Sequence, residues 1–207
     1  MVLGTSTGIQ RDNYNRPQLM ECKMIEIQTL SAVESHHYFN QIADVYADAF
    51  SQAPYFESLG ELLVFSGRLP YHARRMGFKC VIARNETDHD RIIGFGYGVA
   101  SQPDTWWRDQ VADKMSRDMA DEWLSDCFEF VELAVYPAYQ GLGIGGKLHD
   151  ALLSGVRQRT AVLSTPQVET NALHLYRKRG WNPLLENFNF PGFDMTYCIM
   201  GLQLRPT

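Results

Sequence analysis

One segment constrains the fold more than any other. Phe128 to Val135 (FEFVELAV) is a strand-like apolar run, and after five intervening residues come four glycines in six positions: Gly141, Gly143, Gly145 and Gly146. A helical stretch runs from there to about residue 158, and a second short apolar run follows, Thr160 to Ser164 (TAVLS). A strand, a helix and a strand joined by short connections imply a parallel strand pair. The glycines fall where the helix begins. Glycine lets the backbone approach a ligand closely, and a helix N-terminus offers unpaired N–H groups and a partial positive charge. A plain tight turn needs only one or two glycines, so this segment reads as a cradle for an anion.

The rest of the chain is consistent with one domain carrying an extension. Its 207 residues bury enough surface to fold without disulfides or metal. Residues 1–22 are polar and read as an N-terminal tail or arm, leaving 23–207 as a single domain. Hydrophobic residues make up 45% and charged residues 21%, which excludes disorder across the whole chain. A net charge of −5 argues against nucleic acid as partner and suits an amine. No apolar run approaches the roughly 18 residues that a membrane helix needs, and no signal-peptide core precedes the domain, so the expected location is cytoplasmic with no membrane partner. Cys22, Cys80, Cys127 and Cys198 form no CxxC pair and read as free thiols in a reducing compartment.

Alternation and helical spacing give the remaining elements. A strand opens at Met24 (MIEIQ), and residues 31–50 suit an amphipathic helix. Residues 51–60 form a loop, and residues 60–76 a second helix interrupted near Pro70. Phe78–Ala83 and Arg91–Val99 form a hairpin across the polar turn 85–90. Residues 101–126 read as a helix flanked by loops. A short helix over 169–179 stops at Gly180, and Trp181–Phe188 with Asp194–Leu204 make a final strand pair.

Three phosphate-binding patterns overlap the glycines. Gly141, four residues, Gly146-Lys147 approaches a nucleoside-triphosphate loop, but Leu148 stands where that motif needs Ser or Thr for magnesium. Gly141-x-Gly143-x-x-Gly146 matches the dinucleotide fingerprint. However, Tyr136 to Gln140 separate it from the strand, and no acid ends the next strand. The third pattern is Gln140-Gly-Leu-Gly143-Ile-Gly145, preceded by Val135-x-Pro137. It resembles the coenzyme A signature of the GNAT superfamily of acyl-CoA-dependent N-acyltransferases. Downstream, Asn171-Ala-Leu-His-Leu175-Tyr176-Arg-Lys-Arg-Gly180-Trp181 is similar to a second segment of that family. The resemblance extends over about residues 24–205.

This resemblance implies an α/β (α+β) fold. A mixed central sheet of about six to seven strands has a splayed parallel pair and about four flanking helices. It implies acetyl-CoA as co-substrate and no metal. Backbone groups of Leu133, Ala134 and Val135 would meet the pantetheine arm. Those of Gln140, Gly141, Leu142, Gly143, Ile144, Gly145 and Gly146 would meet the pyrophosphate, with Asn171 as a further coenzyme contact. Tyr176 would give a proton to the leaving thiolate. For the base, Glu129 stands six residues before Val135, the position of a basic glutamate in parts of the family. Glu132 is the other acid of that strand, and a water relay is a third route. Strand alternation puts the two glutamates on opposite faces, with Glu129 beside Val131, Leu133 and Val135.

The acceptor side would draw on Tyr55, Phe56, Phe188, Phe190 and Phe193, with Trp106 and Trp107, since aromatic walls suit an amine. Lys147, or the basic run Arg177-Lys178-Arg179, could reach a phosphate. His149 and His174 read as packing or surface residues. The implied reaction moves an acetyl group to a primary amine of a small molecule or peptide. The alternative is an acyl-CoA-binding sensor or regulatory module without transfer activity. The resemblance also admits a homodimer.

Overall fold

The computed structural model describes residues 25–85 and 91–204. The expected tail, Cys22 and the hairpin tip at 86–90 lie outside the described residues. Seven strands form one sheet in the order β1-β2-β3-β4-β5-β7-β6. They are β1 (Ile25–Leu30), β2 (Lys79–Asn85), β3 (Arg91–Ala100), β4 (Cys127–Val135), β5 (Thr160–Pro166), β6 (Asn182–Asn189) and β7 (Thr196–Gln203). The sheet is mixed, because β4 and β5 run parallel while the other pairs are antiparallel. The last two strands pair as expected, and β7, not β6, joins β5.

Residues 31–50 break into a single turn, α1 (Ala32–Ser35), a 3-10 turn over His36–Tyr38, and α2 (Phe39–Phe50). Ser31 and Glu34 form a capping box on α1. The Ser35 hydroxyl donates back to the Ala32 carbonyl at 2.7 Å, a local bond that competes with continued α-helix. Helix α3 (Leu59–His72) carries Pro70 without interruption, because only its last residues follow the ring. The segment before β4 holds two helices, α4 (Trp106–Asp113) and α5 (Arg117–Leu124). The Ser116 hydroxyl starts the second by accepting from the Met119 N–H at 3.2 Å. Helices α6 (Ile144–Leu153) and α7 (Asn171–Lys178) complete the chain.

The two sheet faces are covered by different helices. On one, Ile42, Val45 and Tyr46 of α2 and Phe65 and Leu69 of α3 pack against Ile82, Phe95 and Tyr97. On the other, Leu148 and Leu152 of α6 and Leu173 and Tyr176 of α7 pack against Ile93, Phe128, Phe130 and Leu163. Burial of each large apolar side chain contributes about 1.5–3 kcal/mol. Helix α6 sits close to β3 because Gly94 and Gly96 face it. A Cβ on Gly94 would lie 3.0 Å from Leu148, and one on Gly96 would lie 3.5 Å from Leu152. The Lys79 ammonium donates to the Ala151 carbonyl at 2.8 Å, at the carbonyl end of α6. The N-terminus of α6 follows the turn that leaves β4.

Two irregularities of β4 shape what lies beside it. Tyr97 pairs with Glu132 but Gly98 pairs with Phe130, so Val131 is an extra residue, a β-bulge. Gly98 is required there, since a Cβ would lie 2.4 Å from the Phe128 ring. The pairing of β4 with β5 covers only Cys127 to Glu129 against Thr160 to Val162. Beyond Glu129 the parallel strands part, and a cleft opens between them.

Candidate active site in the cleft between the parallel strands

The backbone on the β4 side of the cleft follows from the ladder. The Tyr136 N–H bonds the Ile93 carbonyl at 2.8 Å. In an antiparallel pair such bonds recur at every second residue. Glu132, Ala134 and Tyr136 therefore direct their backbone groups toward β3, and Leu133 and Val135 direct theirs toward the cleft. Of the three expected backbone contacts, Leu133 and Val135 face the open side. Ala134 does not, because its groups are used in the sheet.

The glycine turn continues from this edge. Gly141 (φ +78°) and Gly143 (φ +80°) adopt left-handed conformations that favour glycine, and a Cβ on either would meet open space. Gly143 is the N-cap of α6, and the Lys147 N–H is bonded to its carbonyl at 3.2 Å. By helix geometry the amides of Ile144, Gly145 and Gly146 have no acceptor within the helix. Gln140 departs from expectation: its N–H bonds Pro137 at 3.3 Å and its side-chain amide donates to the Val135 carbonyl at 3.0 Å. It ties the turn to β4, so the free amides begin after it. Leu142 is exposed on the same turn. These groups fit a pyrophosphate, with open space beside Gly143 and unshared N–H groups aimed from a helix start.

The two glutamates share one face. The bulge at Val131 interrupts the alternation, so Glu129 and Glu132 both turn toward the α3 side, while Phe128, Phe130, Leu133 and Val135 face α6 and α7. The expectation of opposite faces is overturned by one extra residue. Glu129 is held on both oxygens by Arg75, at 2.9 and 3.4 Å, and accepts from the Ser101 hydroxyl at 3.0 Å. Only 5% of its side chain is exposed, and 9% of Arg75. Glu132 meets Arg68 through a single contact at 3.4 Å, with 15% of its side chain exposed. Burial pushes the Glu132 carboxyl up to about 7; Arg68 pulls it down, and Glu57 pushes it further up.

Tyr176 of α7 is 7% exposed and packs edge-on against Phe130 and Trp181. Burial, then the charges of Tyr55 and Glu132, push its hydroxyl well above the usual tyrosine value, so it holds its proton at neutral pH. Burial raises Tyr46, Tyr55, Tyr97 and Tyr197 in the same way, and Glu132 adds to each. Glu132 and Tyr176 thus feel each other's charge although they lie on opposite sheet faces. Asn171 is exposed in the first turn of α7, which Thr170 caps.

His149 is a packing residue. Its Nε2 accepts the Trp181 indole N–H at 2.8 Å, so Nδ1 bears the proton and donates to Asp150 at 2.8 Å. Burial lowers its pKa and keeps it neutral. Asp150 accepts from Arg179 at 2.7 and 3.0 Å, and Glu169 accepts from Arg177 at 2.8 Å. Two cations of the basic run are therefore engaged within the protein.

On the acceptor side, Phe190 packs with Trp106, Phe188, Phe193 and Tyr197 at centroid distances of 4.7–6.3 Å. Tyr55 packs on Phe50 and Phe56 is exposed. The Trp107 indole donates to Ser164 of β5 at 3.2 Å. Sequence reasoning missed Arg68, Arg75, Tyr46 and Glu57. Only Glu57 carried a signal, as a lone acid within the expected acceptor loop. Among the described residues no group of His, Cys, Asp and Glu is arranged to hold a metal ion, and no helix is long and apolar enough to cross a membrane.

Known proteins share this fold and part of this sequence. A GCN5-like protein acetyltransferase of Mycobacterium tuberculosis is 29% identical over 127 residues, which cover 58% of this chain and 62% of that protein. A solved structure described as a putative acetyltransferase of the GNAT family from Desulfovibrio desulfuricans superposes with a TM-score of 0.62 at 15% identity, covering 87% of this chain and 99% of the other. A putative acetyltransferase from Salmonella typhimurium, solved with its cofactor acetyl-CoA, gives 0.50 at 16% identity, with coverages of 88% and 95%. Residues 76–183, more than half of the sequence and including β4, the glycine turn and α7, match the acetyltransferase (GNAT) domain, and the chain belongs to that family.

Proposed function

We propose that this protein transfers an acetyl group from acetyl-CoA directly to a primary amine. The observation that carries the reading is the continuity of one binding edge. The cleft-facing backbone of Leu133 and the N–H of Val135, whose carbonyl Gln140 already holds, lead into the left-handed glycines and the N-terminus of α6, and Glu132 stands beside that edge. A pantetheine arm would add to β4 as a strand, through backbone hydrogen bonds. The pyrophosphate would take N–H groups from Gly141 to Gly146, leaving the thioester in the cleft near Glu132 and Tyr176. The relative from M. tuberculosis, named as a protein acetyltransferase, supports a protein or peptide amine as acceptor. Buried free thiols at Cys80, Cys127 and Cys198 support a cytoplasmic location.

An alkylammonium has a pKa of about 10 and cannot attack until it loses a proton. Glu132, with a carboxyl pushed up to about 7, is matched to accept that proton near neutral pH. The amine nitrogen then bonds the thioester carbonyl carbon, the carbon–sulfur bond breaks, the sulfur leaves as thiolate, and the nitrogen sheds its second proton, which replaces the one that the tyrosine gives to the sulfur. Tyr176 holds its proton and is the donor to that sulfur. Glu129 has no part in these transfers, because its carboxylate is shared between Arg75 and Ser101. The test is calorimetry with acetyl-CoA, ATP and NAD, followed by thiol release across an amine panel. Binding of acetyl-CoA alone with amine-dependent thiol release is expected. Binding of ATP or NAD in its place, or no thiol release with any amine, contradicts the reading.

A further inference from the structure

Glu57 lies in the loop between α2 and α3; its charge helps to raise the Glu132 carboxyl, but it exchanges no proton in the chemistry above. Its position is built. The Tyr46 hydroxyl lies 2.9 and 2.7 Å from its two oxygens, and the Glu57 N–H bonds the Phe50 carbonyl at 2.9 Å. Tyr46 is itself 3% exposed and stacked on Phe65 at 3.7 Å, so the carboxylate is mounted on the core. A half-buried carboxylate held this firmly ordinarily has a cation against it. Among the described residues none lies within ion-pair distance of Glu57; the guanidinium of Arg68 reaches Glu132 instead. One hydroxyl proton uses little of a carboxylate's accepting capacity.

The surroundings point the same way. Tyr55, two residues before Glu57, feels Thr170 at the start of α7, which puts this loop near that helix. Tyr197 of β7 feels the charge of both Glu57 and Glu132. Glu57, Glu132 and the exposed Glu61 share a single arginine, Arg68, beside these tyrosines. The carboxylates outnumber the cation, next to aromatic rings that suit an ammonium group.

We propose that Glu57 is a specificity-determining residue that receives the acceptor as an ammonium ion, so that the cleft selects cationic amines over neutral nucleophiles. This rests on the reading of the cleft as an N-acetyltransferase site. Glu57 supplies attraction before reaction and Glu132 removes the proton, so loss of Glu57 acts on acceptor binding, and reaches the transfer step only by letting the Glu132 carboxyl fall, which leaves it ionised at pH 7.5.

The test titrates the CoA-loaded protein with n-butylamine, charged at pH 7.5, and with n-butanol, its neutral counterpart. Wild type should bind the amine saturably, and Glu57→Gln should weaken it about tenfold or more, the scale of a lost charged hydrogen bond. Butanol should bind both proteins alike. Tyr46→Phe, which frees the carboxylate without removing it, should give a smaller loss. In turnover the KM for the amine should rise in Glu57→Gln with kcat within about threefold, the mark of lost uniform binding. Amine affinity within about twofold of wild type in Glu57→Gln, equal losses for amine and butanol, or no amine binding by wild type would each overturn the proposal. Glu57-dependent amine binding without any thiol release would instead refute acetyl transfer while leaving the ammonium site standing.

Discussion

Glu129 and Glu132 stand three residues apart on β4, on the same face, and each meets an arginine from α3 or the turn after it. Glu129 lies where β4 is still paired with β5, and Arg75 and Ser101 close around it. Glu132 lies past the bulge, where the strands have parted, and has one long contact to Arg68. The first carboxylate is saturated with donors and the second is not. Residue type and strand are the same, so hydrogen-bond partners and the distance from the end of the parallel pairing decide which acid is available for chemistry.

The sharpest way to break this contrast is to neutralise each acid in turn. Glu132→Gln should lower kcat about 10²–10⁴-fold at neutral pH, the usual reach of general base catalysis, with acetyl-CoA affinity unchanged by calorimetry. Glu129→Ala should act on stability instead. Removing one member of a buried pair costs about 3–5 kcal/mol, to be seen in urea unfolding, with kcat per folded molecule nearly constant. Equal kinetic losses in the two variants would erase the distinction. Tyr176→Phe tests the donor on the other side of the cleft. Turnover should fall about 10²-fold while coenzyme affinity and unfolding midpoint barely move. Gly143→Ala touches neither glutamate. Forcing an L-residue into its left-handed conformation costs about 1–2 kcal/mol, read as weaker acetyl-CoA binding with the pH dependence of kcat unchanged.

The sequence carried the glycine turn well, because left-handed backbone at Gly141 and Gly143 is a local demand that few other residues meet. The parallel pair and the helix that follows the turn were legible for another reason: short connections restrict topology. The faces of the two glutamates were not. The bulge residue, Val131, looks like any strand residue, and a single insertion reverses every alternation beyond it. The partners Arg68 and Arg75 are more than fifty residues away in sequence, and nothing local announces such pairs. The break between α1 and α2 was equally hidden, since the apolar spacing runs on through His36–Tyr38 while Ser35 bonds its own turn.

The most direct measurement is the pH dependence of kcat for acetyl transfer in wild type, Glu129→Gln and Glu132→Gln, across about pH 5.5–9. A base must be ionised to act. With the Glu132 carboxyl at about 7, wild-type activity should fall as the pH drops through that value and level off above it. Glu129→Gln should keep this acidic limb where it is. Glu132→Gln should lose it and rise with pH only as the free amine itself becomes available. An acidic limb that persists in Glu132→Gln and vanishes in Glu129→Gln would contradict the assignment and make the arginine-held carboxylate the base.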